Sequence, residues 1–159
     1  KNDIPEIQLV IVGVSTNDSN LTQQVKDLNL ENYVDFRGWQ DASTFASYIN
    51  ASAVCISPLH KNPHHDTTYA NKIFQYMSLG KPVLVSDATA QQNLVENVNA
   101  GLVHKERDGK DIEVKVLELY KNSNKSLELG NNGKSFVQNE FYWEKTSNEL
   151  IKLYANLNS

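Results

Sequence analysis

At 159 residues, the chain has the length of one domain and can bury about two thirds of its unfolded surface without disulfides or metals. Its formal net charge of −4, from 15 Lys and Arg against 19 Asp and Glu with no long run of one sign, excludes the basic footprint that a nucleic-acid backbone requires. The single cysteine, Cys55, supports no disulfide framework and fits a reducing compartment, and no apolar stretch approaches the ~20 residues of a membrane-spanning helix.

Nothing in the opening residues reads as a signal peptide. The sequence starts at Lys1 and enters a strand-like run almost at once, so a soluble piece of a longer polypeptide is expected. Ile7 to Gly13, IQLVIVG, is β-branched, nearly continuous and closed by glycine, the pattern of a strand buried on both faces. Residues 20 to 29 put Leu21, Val25 and Leu28 on one helical face, and Tyr33 to Phe36 read as a second short strand before Gly38. Asp41 or Ser43 can cap a helix bearing Phe45, Tyr48 and Ile49, and Ser52 to Ile56 form a third strand that holds Cys55 as a small buried hydrophobe. After the loop LHKNPHHD come a helix over 68–79, a strand over Val83 to Val85, a short helix around Gln91 to Asn97 and a strand at Gly101 to His104. This alternation predicts an α/β fold, an open, doubly wound parallel sheet. Residues 109 to 157 hold three helical segments and no strand, so the domain finishes in C-terminal helices.

In such a sheet, ligands sit beyond the carboxyl ends of the strands. The functional edge is therefore expected at residues 13–17, 37–41, 58–68 and 87–92. The first turn of helix 68–79 would point free N–H groups, from about Tyr69 to Lys72, into this crevice, where its dipole favours an anion. Lys72 adds a full positive charge where the macrodipole makes lysine locally unfavourable, which suits phosphate binding; a solvated surface lysine is the alternative. Gln75 falls one turn after Asn71 and three residues after Lys72, so the three can share a face, and its amide can bond a diol. Phe74, Met77 and Leu79 read as the core side, and Gly80 ends the helix before Lys81-Pro82 lead into the next strand.

The stretch NKIFQYMSLGKPVLVSD followed by QQNLVENVNAGLV closely resembles the donor-binding, C-terminal half of retaining glycosyltransferases of the GT-B class, the glycosyltransferase group 1 family. IQLVIVG, YVDFRGWQD, SAVCISPLH and FYWEKTSNELIKLY fall in the family's order, so the resemblance covers essentially the whole chain. It implies one donor-nucleotide-sugar-binding domain over residues 1–159, lacking an N-terminal acceptor domain and its own first strand, and inactive by itself. The parent would transfer a sugar from a nucleotide diphosphate to an acceptor with retention of configuration, in surface polysaccharide or glycolipid synthesis. It would stabilise the leaving diphosphate electrostatically, with no metal or other cofactor. Of the family's two glutamates, the ribose-binding one aligns with Gln75, and the one that holds donor-sugar hydroxyls aligns with Thr67, leaving Asp66 as the adjacent carboxylate. Backbone amides of Thr68, Tyr69, Ala70 and Asn71 would meet the diphosphate with Lys72 as a clamp, and Gly38, Trp39 and Gln40 would lie near the base. The implied setting is cytoplasmic, with peripheral association of the parent at the inner membrane face left open.

Other readings compete. His60, His64, His65 and Asp66 form a dense cluster whose ligand types suit zinc, although adjacent histidines on one loop seldom converge on one ion. A non-catalytic nucleotide-binding module is a second, but neither G-x-G-x-x-G nor a P-loop is present. A nucleotide-sugar epimerase of the same architecture is a third. No pair of residues reads as a general acid and base or an activated nucleophile, so the catalytic residues stay unassigned. Glu96 stands where the family often has an acidic residue and reads equally as a solvated helix glutamate.

Overall fold

The computed structural model describes residues 3–14 and 18–157. Contacts divide the chain into two compact units, Lys1–Ser47 and Tyr48–Ser159. In the first unit, β1 (Leu9–Val12) pairs in parallel with β2 (Val34–Gly38), and α1 (Asp18–Asp27) connects them. The register runs Leu9 to Val34 and Ile11 to Phe36, then slips so that Val12 faces Gly38. The slip leaves Arg37 exposed, its Nε donating to Asp35 Oδ2 at 2.7 Å. α1 closes on Asn29 at φ +52°, a left-handed cap: the Leu28 amide still bonds the Gln24 carbonyl at 3.1 Å, and the Leu30 amide reaches back to the Val25 carbonyl at 2.9 Å.

β1 is not buried on both faces. Leu9 and Val10 are 46% and 40% exposed, because a short unit with two strands has too few elements to cover both sides of its ladder. An aspartate cap at Asp41, accepting from the Ser43 amide at 2.9 Å, opens a 3-10 turn, Ala42–Thr44, that runs into α2 (Phe45–Ala51).

The second unit is a parallel ladder of β3 (Cys55–Ser57), β4 (Val83–Ser86) and β5 (Gly101–His104), with β4 in the middle. The parallel α/β architecture expected from the alternation is present, with its strands in two ladders, one per unit. All of β4 is inaccessible to solvent, and Ile73, Met77, Val83, Val85, Val95 and Ala100 form the core around it. α4 (Asn71–Ser78), α5 (Thr89–Val98) and α7 (Ser123–Asn139) supply its helical layers. α7 approaches closely because it carries glycine: a Cβ on Gly130 would stand 2.1 Å from the Gly80 carbonyl oxygen. α4 ends as its sequence signals: Gly80 sits at φ +70°, its amide bonding Met77 O at 2.9 Å and the Lys81 amide bonding Tyr76 O at 3.1 Å. Ile73, not Leu79, is the fully buried partner of Met77, since the helix stops at Ser78.

Cys55 is buried, and burial pushes its thiol up to about 11 despite the opposing charge of Lys81. α6 (Gly109–Lys121), α7 and α8 (Trp143–Leu157) are the three expected C-terminal helices; side chains of Asp108 and Asn122 cap the first two. Ahead of α8, Phe141 stacks on Phe74 of α4 with centroids 4.0 Å apart. Among the described residues, no helix is long and apolar enough to cross a membrane.

Candidate functional site

The segment that reads as a loop before the helix at 68 folds differently. Pro63–Thr67 form a short helix, α3, Thr68 is extended, and α4 begins only at Asn71. The reason is local: Asn62 accepts from the His65 amide at 2.8 Å, and Pro63 takes the first helical position, where its missing N–H is no loss. That cap-plus-proline signal is in the sequence, beneath the conspicuous histidines.

Several bonds fasten this segment to the ends of β4 and β5. Ser86 Oγ donates to Leu59 O at 2.6 Å, Lys61 Nζ pairs with Asp87 Oδ2 at 3.1 Å, and His60 Nδ1 lies 3.0 Å from Glu106 Oε1. Beneath them, buried Gln91 bonds the ends of β3 and β4. Its Nε2 donates to Ser57 O and Ser86 O, both at 3.1 Å, and its Oε1 accepts from Ser57 Oγ at 3.1 Å. Sequence reading misses this hub, because a polar residue on a helix and two serines at strand ends reveal their partnership only once the ladder is assembled.

The expected donor-binding residues are contiguous at the α3–α4 junction. Asp66 Oδ1 accepts from Thr89 N at 2.8 Å and Thr89 Oγ1 at 3.1 Å. The Thr67 hydroxyl donates back to Pro63 O at 2.7 Å, and that of Thr68 to His64 O at 2.7 Å. Tyr69 is half exposed and meets Phe74 edge-on, and Ala70 is the N-cap of α4 with no side chain to serve as a cap. Asn71 and Gln75 are exposed one turn apart, with Lys72 part-buried between them. Among the described residues, the amides of Thr68, Tyr69, Ala70, Asn71 and Lys72 meet no intramolecular acceptor, and the Lys72 ammonium meets no carboxylate or carbonyl. Burial holds the Lys72 pKa below its ordinary value. Five consecutive donors and a partly desolvated cation are groups of the kind that an anion can satisfy.

Burial pushes the Asp87 carboxyl up, but the Glu106 amide and Lys61 outweigh it and leave the group below its ordinary value. The loop histidines do not converge. His65 Nδ1 lies 2.6 Å from His60 O, His60 is turned to Glu106, and no three His, Cys, Asp or Glu side chains among the described residues are placed to hold one ion. Glu96 is exposed and accepts from Gln92 Nε2 at 3.1 Å. Gly38, Trp39 and Gln40 belong to the first unit. There Gly38 has φ +60°, Gln40 donates to Arg37 O at 2.8 Å, and the Trp39 ring is 72% exposed, packed into no core. Of the edge segment 13–17, residues 15–17 lie outside the described residues.

The chain is similar to known proteins in sequence and fold. The family model described as Glycosyl transferases group 1 matches residues 1–122. An uncharacterized glycosyltransferase of Methanocaldococcus jannaschii is 24% identical over 152 residues, 96% of this chain and 38% of the relative. Sucrose-phosphate synthase from Thermosynechococcus elongatus superposes with a TM-score of 0.84 at 26% identity, over 97% of this chain and 39% of that one. Anabaena HepE in complex with UDP superposes at 0.84 and 18% identity, over 96% and 42%, a likeness of fold alone. The chain spans about two fifths of the length of these relatives. A parallel ladder carrying the helix, glycine, Lys-Pro and strand sequence and a matching family model over most of its length lead to one conclusion: the chain belongs to the glycosyl transferases group 1 family.

Proposed function

We propose that this chain is the donor-binding part of a longer glycosyltransferase, which passes a sugar from a nucleotide diphosphate to an acceptor with retention of configuration, in surface polysaccharide or glycolipid synthesis. The observation that carries the reading is the run of free amides from Thr68 to Lys72 beside the unpaired Lys72 ammonium. These groups bind the diphosphate and stabilise the charge that grows on it as the glycosidic bond breaks. The exposed Gln75 amide, one turn on, bonds the ribose hydroxyls. Gly38, Trp39 and Gln40 serve the base; an exposed indole is suited to stacking on it. HepE, with the same fold, was solved with UDP, which makes UDP the first nucleotide to try. The parent adds an acceptor domain, with the catalytic cleft between the two, and works in the cytoplasm; donor binding needs no metal.

Calorimetric titration with UDP, GDP and ADP, alone and as sugar conjugates, tests the reading in wild type and Lys72→Ala. One nucleotide is expected to bind at about millimolar affinity or tighter, equally with EDTA and with Mg2+. The substitution should weaken it about tenfold or more, the loss of one charge-assisted contact. Failure of the full-length protein to bind any of them overturns the proposal. The anomeric configuration of the product, read by NMR, tests retention.

A further inference from the structure

Asp66 is the carboxylate nearest to the place where the family's sugar-binding glutamate aligns, but its geometry gives it another task. Thr89 is the first residue of α5, and Ala88 before it offers no side chain to cap that helix. The cap comes from Asp66, 23 residues earlier, whose Oδ1 takes both the Thr89 amide and the Thr89 hydroxyl. A carboxylate there also meets the positive end of the α5 dipole. Asp66 lies in the last turn of α3, immediately before the run of free amides. Asn62 fixes the start of α3, and Asp66 pins its end to α5. Core packing of Ala70, Ile73 and Met77 holds the α4 side of these amides, and the Asp66 pin holds the side that follows α3.

We propose that Asp66 is a positioning residue, not a sugar ligand: it transmits the fixed position of α5 to the diphosphate-binding amides of Thr68 to Lys72. The inference rests on the donor-site reading above and assigns a role within that site. A sugar ligand would matter only when a sugar is attached; a tether for the diphosphate cradle matters equally for the bare nucleotide and its conjugate.

Thr89→Pro separates the two roles without touching Asp66. Proline is tolerated at the first position of a helix, and Ala88 already has the extended conformation, φ −64° and ψ 125°, that a residue before proline requires. The substitution removes both donors to Asp66 and leaves α5 intact, which protection of the buried Leu94 and Val95 amides against hydrogen exchange would verify. In the intact protein, UDP and UDP-glucose affinities are measured alongside exchange at Ile73 to Gln75, the first hydrogen-bonded amides of α4. Asp66→Ala and Thr89→Pro should each weaken both ligands by the same factor, roughly tenfold or more, and accelerate that exchange comparably. The double variant should be no worse than either single one. Asp66→Asn, whose amide oxygen still accepts from Thr89, should stay within about threefold of wild type. Weakening confined to UDP-glucose, or unchanged exchange at Ile73 to Gln75, overturns the proposal. If wild type binds neither ligand, the donor-site reading fails, and the exchange alone decides the tether: acceleration in both variants upholds it, and no change refutes it.

Discussion

Lys72→Met should make the protein more stable and a poorer binder at once. The ammonium is part-buried, has no partner among the described residues, and stands in the first turn of α4, where the helix dipole opposes a cation. Methionine keeps the length of the stem and its packing while removing the charge. Relieving an unfavourable dipole interaction and a partial desolvation should stabilise the apo protein by about 0.5–1 kcal/mol. At this chain length that raises the melting temperature by about 1–4 °C. Binding moves the other way: loss of one charge-assisted contact to phosphate, about 1.5–3 kcal/mol, weakens the nucleotide about 10- to 150-fold. The pH dependence follows from the depressed lysine. Folding disfavours its charged form, so the destabilisation is fully present below the folded pKa and fades as pH rises through it, disappearing above the ordinary 10.5. The stability gain of Lys72→Met should therefore be full at pH 7 and shrink in alkali. Calorimetric melting from pH 7 to 10.5 with parallel titrations would measure both effects. A variant that loses stability and affinity together would show that Lys72 is a packing residue and not part of an anion site.

Gln91→Leu removes the buried hub and leaves Ser57 Oγ and the Ser86 carbonyl without partners. A loss of about 2–4 kcal/mol in urea unfolding is expected, and a loss below about 1 kcal/mol would mean that the strand ends are held by other means. Gly130→Ala places a methyl 2.1 Å from the Gly80 carbonyl oxygen, which α7 can relieve only by moving away from α4. It should cost about 1–3 kcal/mol by overpacking, read as a lower melting temperature. Asp87→Asn should destabilise by under about 1 kcal/mol at neutral pH, since the Lys61 pair is partly solvated. The lowered carboxyl contributes stability above its ordinary 3.8 and loses it as pH falls through the folded value, so variant and wild type should converge in acid; a constant gap down to pH 2 would contradict the assignment.

Helices and strands were legible wherever periodicity coincided with a terminator. α4, its Gly80 turn and β4 follow directly from NKIFQYMSLGKPVLVS, because a helical stripe, a left-handed glycine and an apolar run agree there. α3 was not anticipated, since five residues carry too little periodicity to register and the histidines invite a metal reading. The same junction shows what sequence can say of a site. The free amides at the start of α4 follow from the helix terminus, whereas the engagement of Asp66 with Thr89 joins residues of two separate helices and has no local signature. β1 misled differently: IQLVIV has the composition of a doubly covered strand, and coverage depends on how many elements the unit provides, which composition does not encode.

The lone thiol of β3 is a ready-made clock. With its pKa raised to about 11, Cys55 is ionised in roughly one molecule in a few thousand at pH 7.5. Enclosure beside β4 keeps reagents from even that fraction. A thiol-labelling reagent can therefore react at an appreciable rate only in molecules whose second unit has opened around β3 and β4. With no other cysteine in the sequence, the modification rate counts those openings one by one, without any added probe. A ligand seated at the α3–α4 junction would slow that count, turning occupancy of the site into a measurable delay.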